Sequence, residues 1–183
     1  MYHIIVNPAS RSGKGEALWK NIAEPYLMEH KIEYISYFSK KPGEVAKLAS
    51  EITKDASPQF PKRIILLGGD GTFNETISGV LRSGVDVPVG YIPAGSTNDF
   101  ANSLGLPSDP LKAARIAASG EAFSCDAGTF NGHPFAYVAA FGAFVDVSYD
   151  TPQDMKNALG HVAYLLRGVQ SLAAIKTYNM HFE

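Results

Sequence analysis

The chain has 183 residues and a mass of 19.7 kDa, enough for one hydrophobic core with some length to spare. Hydrophobic residues make up 45% and mean hydropathy is −0.05, a globular composition that argues against disorder. A net charge of −2 with a pI near 6.2 excludes a global field that would draw nucleic acid or anionic lipid, although Arg11, Lys14, Lys40, Lys41, Lys62 and Arg63 leave room for a local basic patch.

The β-branched run from Tyr2 to Val6 predicts a buried strand. A polar loop from Asn7 to Gly15 follows, then a helical pattern with Ala17, Leu18, Ile22 and Ala23 on one face, which Pro25 bends or ends. Ile32 to Phe38 reads as a second strand. Pro42 suits the first position of a helix over Gly43 to Thr53, where Val45, Leu48, Ala49 and Ile52 fall at helical spacing. A loop over 57–61 leads to Arg63–Leu67, apolar on both faces as the centre of a parallel sheet requires. Gly68 to Thr72 then forms a tight loop and Phe73 to Leu81 a helix. Val87 to Ile92 is a fourth strand, and the loop Pro93 to Thr97 feeds a helical turn over Asn98 to Leu104. Asp109 caps a helix from Pro110 to Ala118 that ends at Gly120.

Strand and helix alternate to this point, which predicts an α/β unit with a parallel sheet flanked by helices over residues 1–121. Asn131-Gly132 then lies between two strand-like runs, Phe123–Phe130 and Pro134–Phe141, so 122–183 reads as the start of an antiparallel, β-rich second domain. A helical stretch over Met155–Leu172 precedes a strictly alternating strand over 177–183. Nothing follows to pair with that strand. The expectation is therefore an N-terminal fragment, the alternative being that the strand pairs back on the hairpin or on another copy.

The opening residues lack the basic region of a secretory signal, and the longest apolar stretch falls short of the ~20 residues a spanning helix needs. Cys125, the single cysteine, excludes an internal disulfide framework and fits a reducing cytoplasm; its place in a predicted strand suggests a small buried residue. The five histidines show no metal-ligand spacing.

The chemistry concentrates at strand ends. Gly68-Gly69-Asp70-Gly71-Thr72 sits where a buried strand gives way to a helix. Free amides and a partial positive charge there favour phosphate, and glycines allow its close approach. A carboxylate beside a triphosphate is repelled unless Mg²⁺ or a hydroxyl proton offsets it; Asp70 is read as that carboxylate or as a plain helix cap. Lys14 within Ser12-Gly13-Lys14-Gly15 does not make a P-loop: no glycine lies five residues before Gly13, and Gly15 replaces the required hydroxyl residue.

Gly68 to Thr72 followed by Asn74-Glu75 resembles the nucleotide loop of the diacylglycerol kinase catalytic domain, a family grouped with NAD kinases and 6-phosphofructokinases. Asn7-Pro8 with Ser12 to Gly15 is similar to that family's opening loop, and Pro93 to Ala101 is similar to its Gly-Thr-x-Asn-Asp-Phe-Ala motif, with Ser96 in place of the usual Thr. The resemblance implies an ATP-dependent lipid kinase, most often acting on diacylglycerol, with Mg²⁺ as cofactor. It implies that Gly68, Gly69, Gly71 and Thr72 cradle the triphosphate, that Asn7, Ser39 and Ser96 flank the nucleotide, and that Asn74 and Glu75 support the loop. Asp70, Asp99 and Asp126 would act catalytically, Asp70 and Asp126 through the metal. Read from the residues alone, Asn7 is equally a turn residue, Ser39 a loop serine, and Asn98 and Asp99 helix caps.

The same resemblance places the general base and a structural metal site beyond residue 183, so these residues alone are expected to be weak or inactive. It implies a cytoplasmic protein in peripheral contact with the membrane, allows a homodimer, and leaves the lipid open. The other readings are a sphingosine- or ceramide-type lipid kinase, in which Thr72 would usually be a bulkier apolar residue, an NAD kinase, whose Asn-Asn/Asp-Glu run is not found here, and a nucleotide-binding module without catalysis.

Overall fold

A computed structural model describes residues 1–54, 62–140 and 179. The helix expected over 155–172 and, apart from Asn179, the strand expected over 177–183 lie outside the described residues. The chain divides into two compact units, Met1–Tyr137 and Val138–Glu183, and every element below belongs to the first.

Four strands, β1 (Tyr2–Val6), β2 (Tyr34–Phe38), β3 (Arg63–Gly68) and β4 (Val89–Pro93), form a parallel sheet in the order β2-β1-β3-β4. β1 and β3 are the inner pair, with Tyr2 opposite Arg63 and Val6 opposite Leu67. Side chains alternate across the sheet, so both strands are apolar over their central residues, Ile4–Val6 and Ile64–Leu67. Ile4, Val6, Ile65, Leu67 and Ile92 face one layer; Ile5, Ile64, Leu66 and Tyr91 face the other.

The first layer holds Leu18, Trp19, Ala23 and Leu27, together with the small-residue face Ala113, Ala114, Ala117 and Ala118 of α7 (Pro110–Ser119). The chain after β1 passes through α1 (Ser10–Gly13), distorted by left-handed backbone at Arg11 and Ser12, and α2 (Gly15–Leu18). A π-helical turn, Trp19–Ala23, leads into α3 (Glu24–Glu29). Pro25 neither ends this run nor falls in the interior of an α-helical turn. Glu24 N–H reaches back five residues to the Trp19 carbonyl, and this slip of register brings Pro25 into the first turn of α3, where no amide hydrogen is needed. Trp19 joins the core while Ala17 stays exposed, because the wider turn shifts the buried face.

The second layer holds α4 (Glu44–Lys54), α5 (Asp70–Ser83) and α6 (Asp99–Ser103), through Val45, Ala49, Ile52, Phe73, Val80 and Phe100. α5 starts at Asp70, three residues before the expected Phe73, so the glycine-rich segment is the first turn of the helix rather than a loop ahead of it. Gly43 has φ +81, a left-handed value, so α4 begins after it and Pro42 lies outside the helix. The expected cap on α7 is present, with Asp109 Oδ1 accepting from Lys112 N–H at 2.8 Å; such caps contribute about 1 kcal/mol.

β5 (Gly128–Phe130) and β6 (His133–Phe135) form an antiparallel hairpin around Asn131 and Gly132, whose φ values of +49 and +77 suit the two central positions of a type I′ turn. Both strands are shorter than expected. The ladder pairs only 128–130 with 133–135, so 121–127 has no partner strand among the described residues. Cys125 on that segment is exposed, not buried. The hairpin docks on α5: Ser78 Oγ donates to the Pro134 carbonyl at 2.8 Å, and Asn74 Oδ1 accepts from Ala136 N–H at 3.2 Å.

The tightest helix contact is made at Gly79, where a Cβ would strike the Ala46 carbonyl oxygen and lie 2.8 Å from Ala49 Cβ. We expect Gly79→Ala to force α4 and α5 apart and to destabilise by about 1–3 kcal/mol despite the better helix propensity of alanine. Urea unfolding measures this; a midpoint equal to or above that of the parent chain would contradict it.

Candidate functional site

Because every pairing in the sheet is parallel, the carboxyl ends of all four strands lie at one edge. The helices that follow β1 lie on one face of the sheet and α5, which follows β3, lies on the other. In open α/β sheets a crevice forms where neighbouring strands send their chains to opposite faces. Here that point is between β1 and β3.

Asn7 and Thr72 bridge it. Asn7 Nδ2 donates to Thr72 Oγ1 at 2.8 Å, Asn7 Oδ1 accepts from Ala9 N–H at 3.1 Å, and the Asn7 carbonyl accepts from Ser10 Oγ at 2.7 Å. Asn7 is therefore more than a turn residue before proline. Its amide holds the threonine hydroxyl by an oxygen lone pair and leaves the O–H proton to donate elsewhere. Gly15, read only as part of a small-residue loop, is required by packing, since a Cβ there would strike the Asn7 carbonyl oxygen and Ser10 Oγ.

The N-terminus of α5 carries the electrostatics. Gly69, extended at φ −97 and ψ −176, is the N-cap and supplies no side chain, and the first amide bonded back to it is that of Phe73. The N–H groups of Asp70, Gly71 and Thr72 have no acceptor among the described residues. Gly71 is exposed, with no atom within 4 Å of where its Cβ would sit. Helix-terminal amides pointing at open space beside a glycine are a ready anion site.

A groove of about 290 Å³ opens beside this turn, lined by Asn7, Ala9, Ser39, Lys40, Lys41, Pro42, Val45, Gly71, Thr72 and Glu75. It thus joins the ends of β1, β2 and β3, and it brings Asn7, Ser39, Gly71, Thr72 and Glu75 together. Lys40 and Lys41, noticed in the sequence only as scattered cations, add positive charge to the same wall. Their signal was position: they directly follow Ser39 at the end of β2.

The carboxylates of α5 are turned sideways onto neighbouring helices. Asp70 Oδ2 accepts from Asp99 N–H at 3.1 Å and Oδ1 from Phe100 N–H at 3.2 Å, so Asp70 caps α6 rather than its own helix. Glu75 Oε1 accepts from Gly43 N–H at 3.0 Å and Oε2 from Val45 N–H at 3.3 Å, at the start of α4. Asn98, left-handed at φ +54, closes on Gly95 from both sides: Gly95 N–H donates to its Oδ1 at 2.7 Å, and its Nδ2 donates to the Gly95 carbonyl at 3.1 Å. Asp99 is exposed, its carboxylate unpartnered among the described residues.

The loops after β3 and β4 touch through backbone. A Cβ on Gly69 would lie 2.9 Å from Gly95 Cα, and one on Gly95 would lie 2.7 Å from Gly69 Cα. Gly68, fully packed, backs onto Thr72. Beneath the loops the rings of Tyr91, Phe73 and Phe100 stack at 4.8 and 4.6 Å, and Phe100 also meets Tyr137 at 5.7 Å. Burial pushes the Tyr91 hydroxyl well above the usual tyrosine range, and the nearby negative charge of Asp70 adds to it.

Ser96 is exposed at the tip of the fourth loop and does not line the groove. Asp126 lies exposed on the extended segment before β5, with no hydrogen bond to Asp70 or Asp99. No group of three or more His, Cys, Asp or Glu suited to hold a metal occurs among the described residues. Mg²⁺ is ordinarily held by one or two carboxylates plus substrate phosphates and water. The open carboxylate of Asp99, beside Asp70 and the α5 N-terminus, is a donor set that fits an ion brought in on a phosphate.

Residues 1–130 match the family model for the diacylglycerol kinase catalytic domain. The chain is 38% identical over 136 residues to a diacylglycerol kinase of Bacillus subtilis, covering 74% of this chain and 45% of that one. It is 32% identical over 183 residues to a diacylglycerol kinase of Staphylococcus carnosus, covering 98% and 57% respectively. The chain spans about half the length of these curated relatives. A solved structure described as a diacylglycerol kinase from Bacillus anthracis superposes with a TM-score of 0.63 at 26% identity, over 73% of this chain and 47% of that one.

If Asp70 holds the start of α6, Asp70→Asn, which keeps one acceptor oxygen but turns an N–H₂ toward an amide donor, will speed hydrogen exchange at Asp99 and Phe100 by about tenfold, the equivalent of losing roughly one hydrogen bond. Unchanged exchange at both amides would show that the cap is dispensable.

Proposed function

This chain belongs to the diacylglycerol kinase catalytic domain family, and from that premise we propose that it forms the nucleotide-binding part of an ATP-dependent kinase that phosphorylates a lipid hydroxyl, diacylglycerol first among the candidates. The observation that carries this reading is the uncapped first turn of α5, where Gly71 and Thr72, whose amides have no acceptor among the described residues, line the groove that runs past Ser39, Lys40 and Lys41.

Phosphoryl transfer asks a protein mainly to position groups and to stabilise charge. In the proposed arrangement the triphosphate lies against the amides of Gly71 and Thr72, with the Thr72 hydroxyl, aimed by Asn7, donating to a phosphate oxygen. Gly68 and Gly69 keep that turn free of side chains. Ser39 and the two lysines line the nucleotide side, and Ser96, outside the groove on the fourth loop, is assigned to the nucleotide from the family resemblance alone. Asn74 and Glu75 support the turn through their bonds to Ala136 and to α4.

Magnesium, when present, would offset phosphate charge. Asp70 and Asp126, assigned to it from the family resemblance, would hold it together with the exposed carboxylate of Asp99, whose backbone Asp70 sets. Asp70 and Asp99 orient the acceptor hydroxyl. The hairpin after residue 121 begins the lipid-binding part in this proposal, even though it packs on α5.

No helix among the described residues is long and apolar enough to cross a membrane. A cytoplasmic enzyme that meets its lipid at the membrane surface, and that forms a homodimer, is the assembly we propose.

Two measurements test this. Gly71→Ala places a methyl in open space and raises helix propensity by up to about 1 kcal/mol, so the melting temperature should hold or rise. MgATP affinity, measured by calorimetry, should fall at least tenfold because the methyl occupies the ligand's room. Equal affinity would remove the phosphate from this turn. Transfer of labelled phosphate from ATP to vesicles containing diacylglycerol should appear in a protein that continues to the relatives' length and should drop at least a hundredfold with Asp99→Asn, while this chain alone shows weak transfer or none. Nucleotide binding without transfer at either length would favour a binding module instead.

A further inference from the structure

Resting on the nucleotide reading of the groove, we infer that Glu75 is a positioning residue that sets the groove's width. One face of α5 offers amides to the ligand, and one turn further along the same helix its carboxylate fixes the opposite wall.

The argument starts at α4. Gly43 stands where the N-cap would be and has no side chain to serve its helix. The amides of Gly43 and Val45 instead donate to the two oxygens of Glu75, 32 and 30 residues further along the chain, at 3.0 and 3.3 Å. A carboxylate at a helix start is favoured by the helix dipole as well as by these bonds. Just ahead of α4, Lys40 N–H donates to Glu44 Oε2 at 2.7 Å, which fastens the segment Ser39–Pro42 onto the first turn of that helix. Glu44 is held ionised by this backbone donor, with its carboxyl below the usual range.

Ser39, Lys40, Lys41, Pro42 and Val45 make one wall of the groove; Gly71, Thr72 and Glu75 make the other. Glu75 thus joins the two walls directly through its bonds to Gly43 and Val45. The other ties between α4 and α5 are apolar: Val45, Ala49 and Ile52 share a core cluster with Phe73 and Val80, and Gly79 packs on Ala46. A wall fixed before the ligand arrives spares the ordering cost on binding. Glu75 then acts on affinity by holding Ser39, Lys40 and Lys41 at a set distance from Gly71 and Thr72, and nucleotide binding in turn tightens the clamp.

The test is calorimetry with MgATP together with amide hydrogen exchange over the segment 39–45, on the 183-residue chain and two variants. Glu75→Ala should weaken MgATP by at least tenfold at a temperature well below its melting point. Glu75→Gln, which keeps one acceptor oxygen, should fall between. In the parent chain MgATP should slow exchange at Gly43 and Val45, and in Glu75→Ala it should not. A residue important only for folding would lower the melting temperature and leave affinity and ligand-induced protection intact, and that result overturns the inference. So does affinity within twofold of the parent in Glu75→Ala, or in Glu75→Gln should the alanine variant fail to fold. Absence of MgATP binding by the parent chain is a separate outcome: it overturns the nucleotide reading of the groove and this inference with it.

Discussion

Helix α5 begins without a side-chain cap, and the site is arranged around that one constraint. A helix start ordinarily satisfies its amides with Ser, Thr, Asp or Asn at the N-cap. Here the N-cap is Gly69, and the acid that follows it, Asp70, is directed away to α6. Glu75 is likewise directed to α4. The helix serves its neighbours and leaves its own first turn open. Three unaccepted amides at a helix terminus are costly unless water or an anion meets them, and this turn is exposed at Gly71, where either can.

The strand order explains why that turn faces a groove. Because β1 and β3 are neighbours and their chains leave toward opposite faces, no backbone fills the gap above them. The Asn7–Thr72 hydrogen bond spans the gap and leaves the threonine proton available to donate. The two apolar layers and the Tyr91–Phe73–Phe100 stack keep the loops at constant height above the sheet. Fold and site therefore share residues: Phe73 and Thr72 are adjacent, one serving the core and the other the groove.

The parallel sheet was legible because its signals are local. β1 and β3 are continuous β-branched and leucine runs, and Asp109, Pro110 and Gly120 mark the ends of α7 in the residues themselves. The glycine-rich segment could be found as a phosphate-type turn, but not as the first turn of a helix. Asp70 fits a cap from sequence, yet the helix it caps begins 29 residues later, a pairing that periodicity cannot reveal. Pro25 marked a distortion in the helix, but not its form: the sequence does not reveal the π turn over Trp19–Ala23 that lets the chain continue into α3. The strand expected from Phe123 is shorter among the described residues, where 123–127 has no partner strand and Cys125 is exposed. Lys40 and Lys41 were visible as charge, but their role depends on β2 ending beside β1.

The contact between Gly69 and Gly95 has a consequence of its own. Most joints between loops are made by side chains, which hop among staggered conformers and lose that freedom when the joint closes. This joint is carbon on carbon along the main chain, with no torsion beyond the backbone to relax it. Van der Waals radii at this contact set how closely the third and fourth loops can approach, and the bonds from the Asp99 and Phe100 amides to Asp70 hold them there. The two loops form a template of set spacing, with the exposed side chains of Ser96 and Asp99 at its rim.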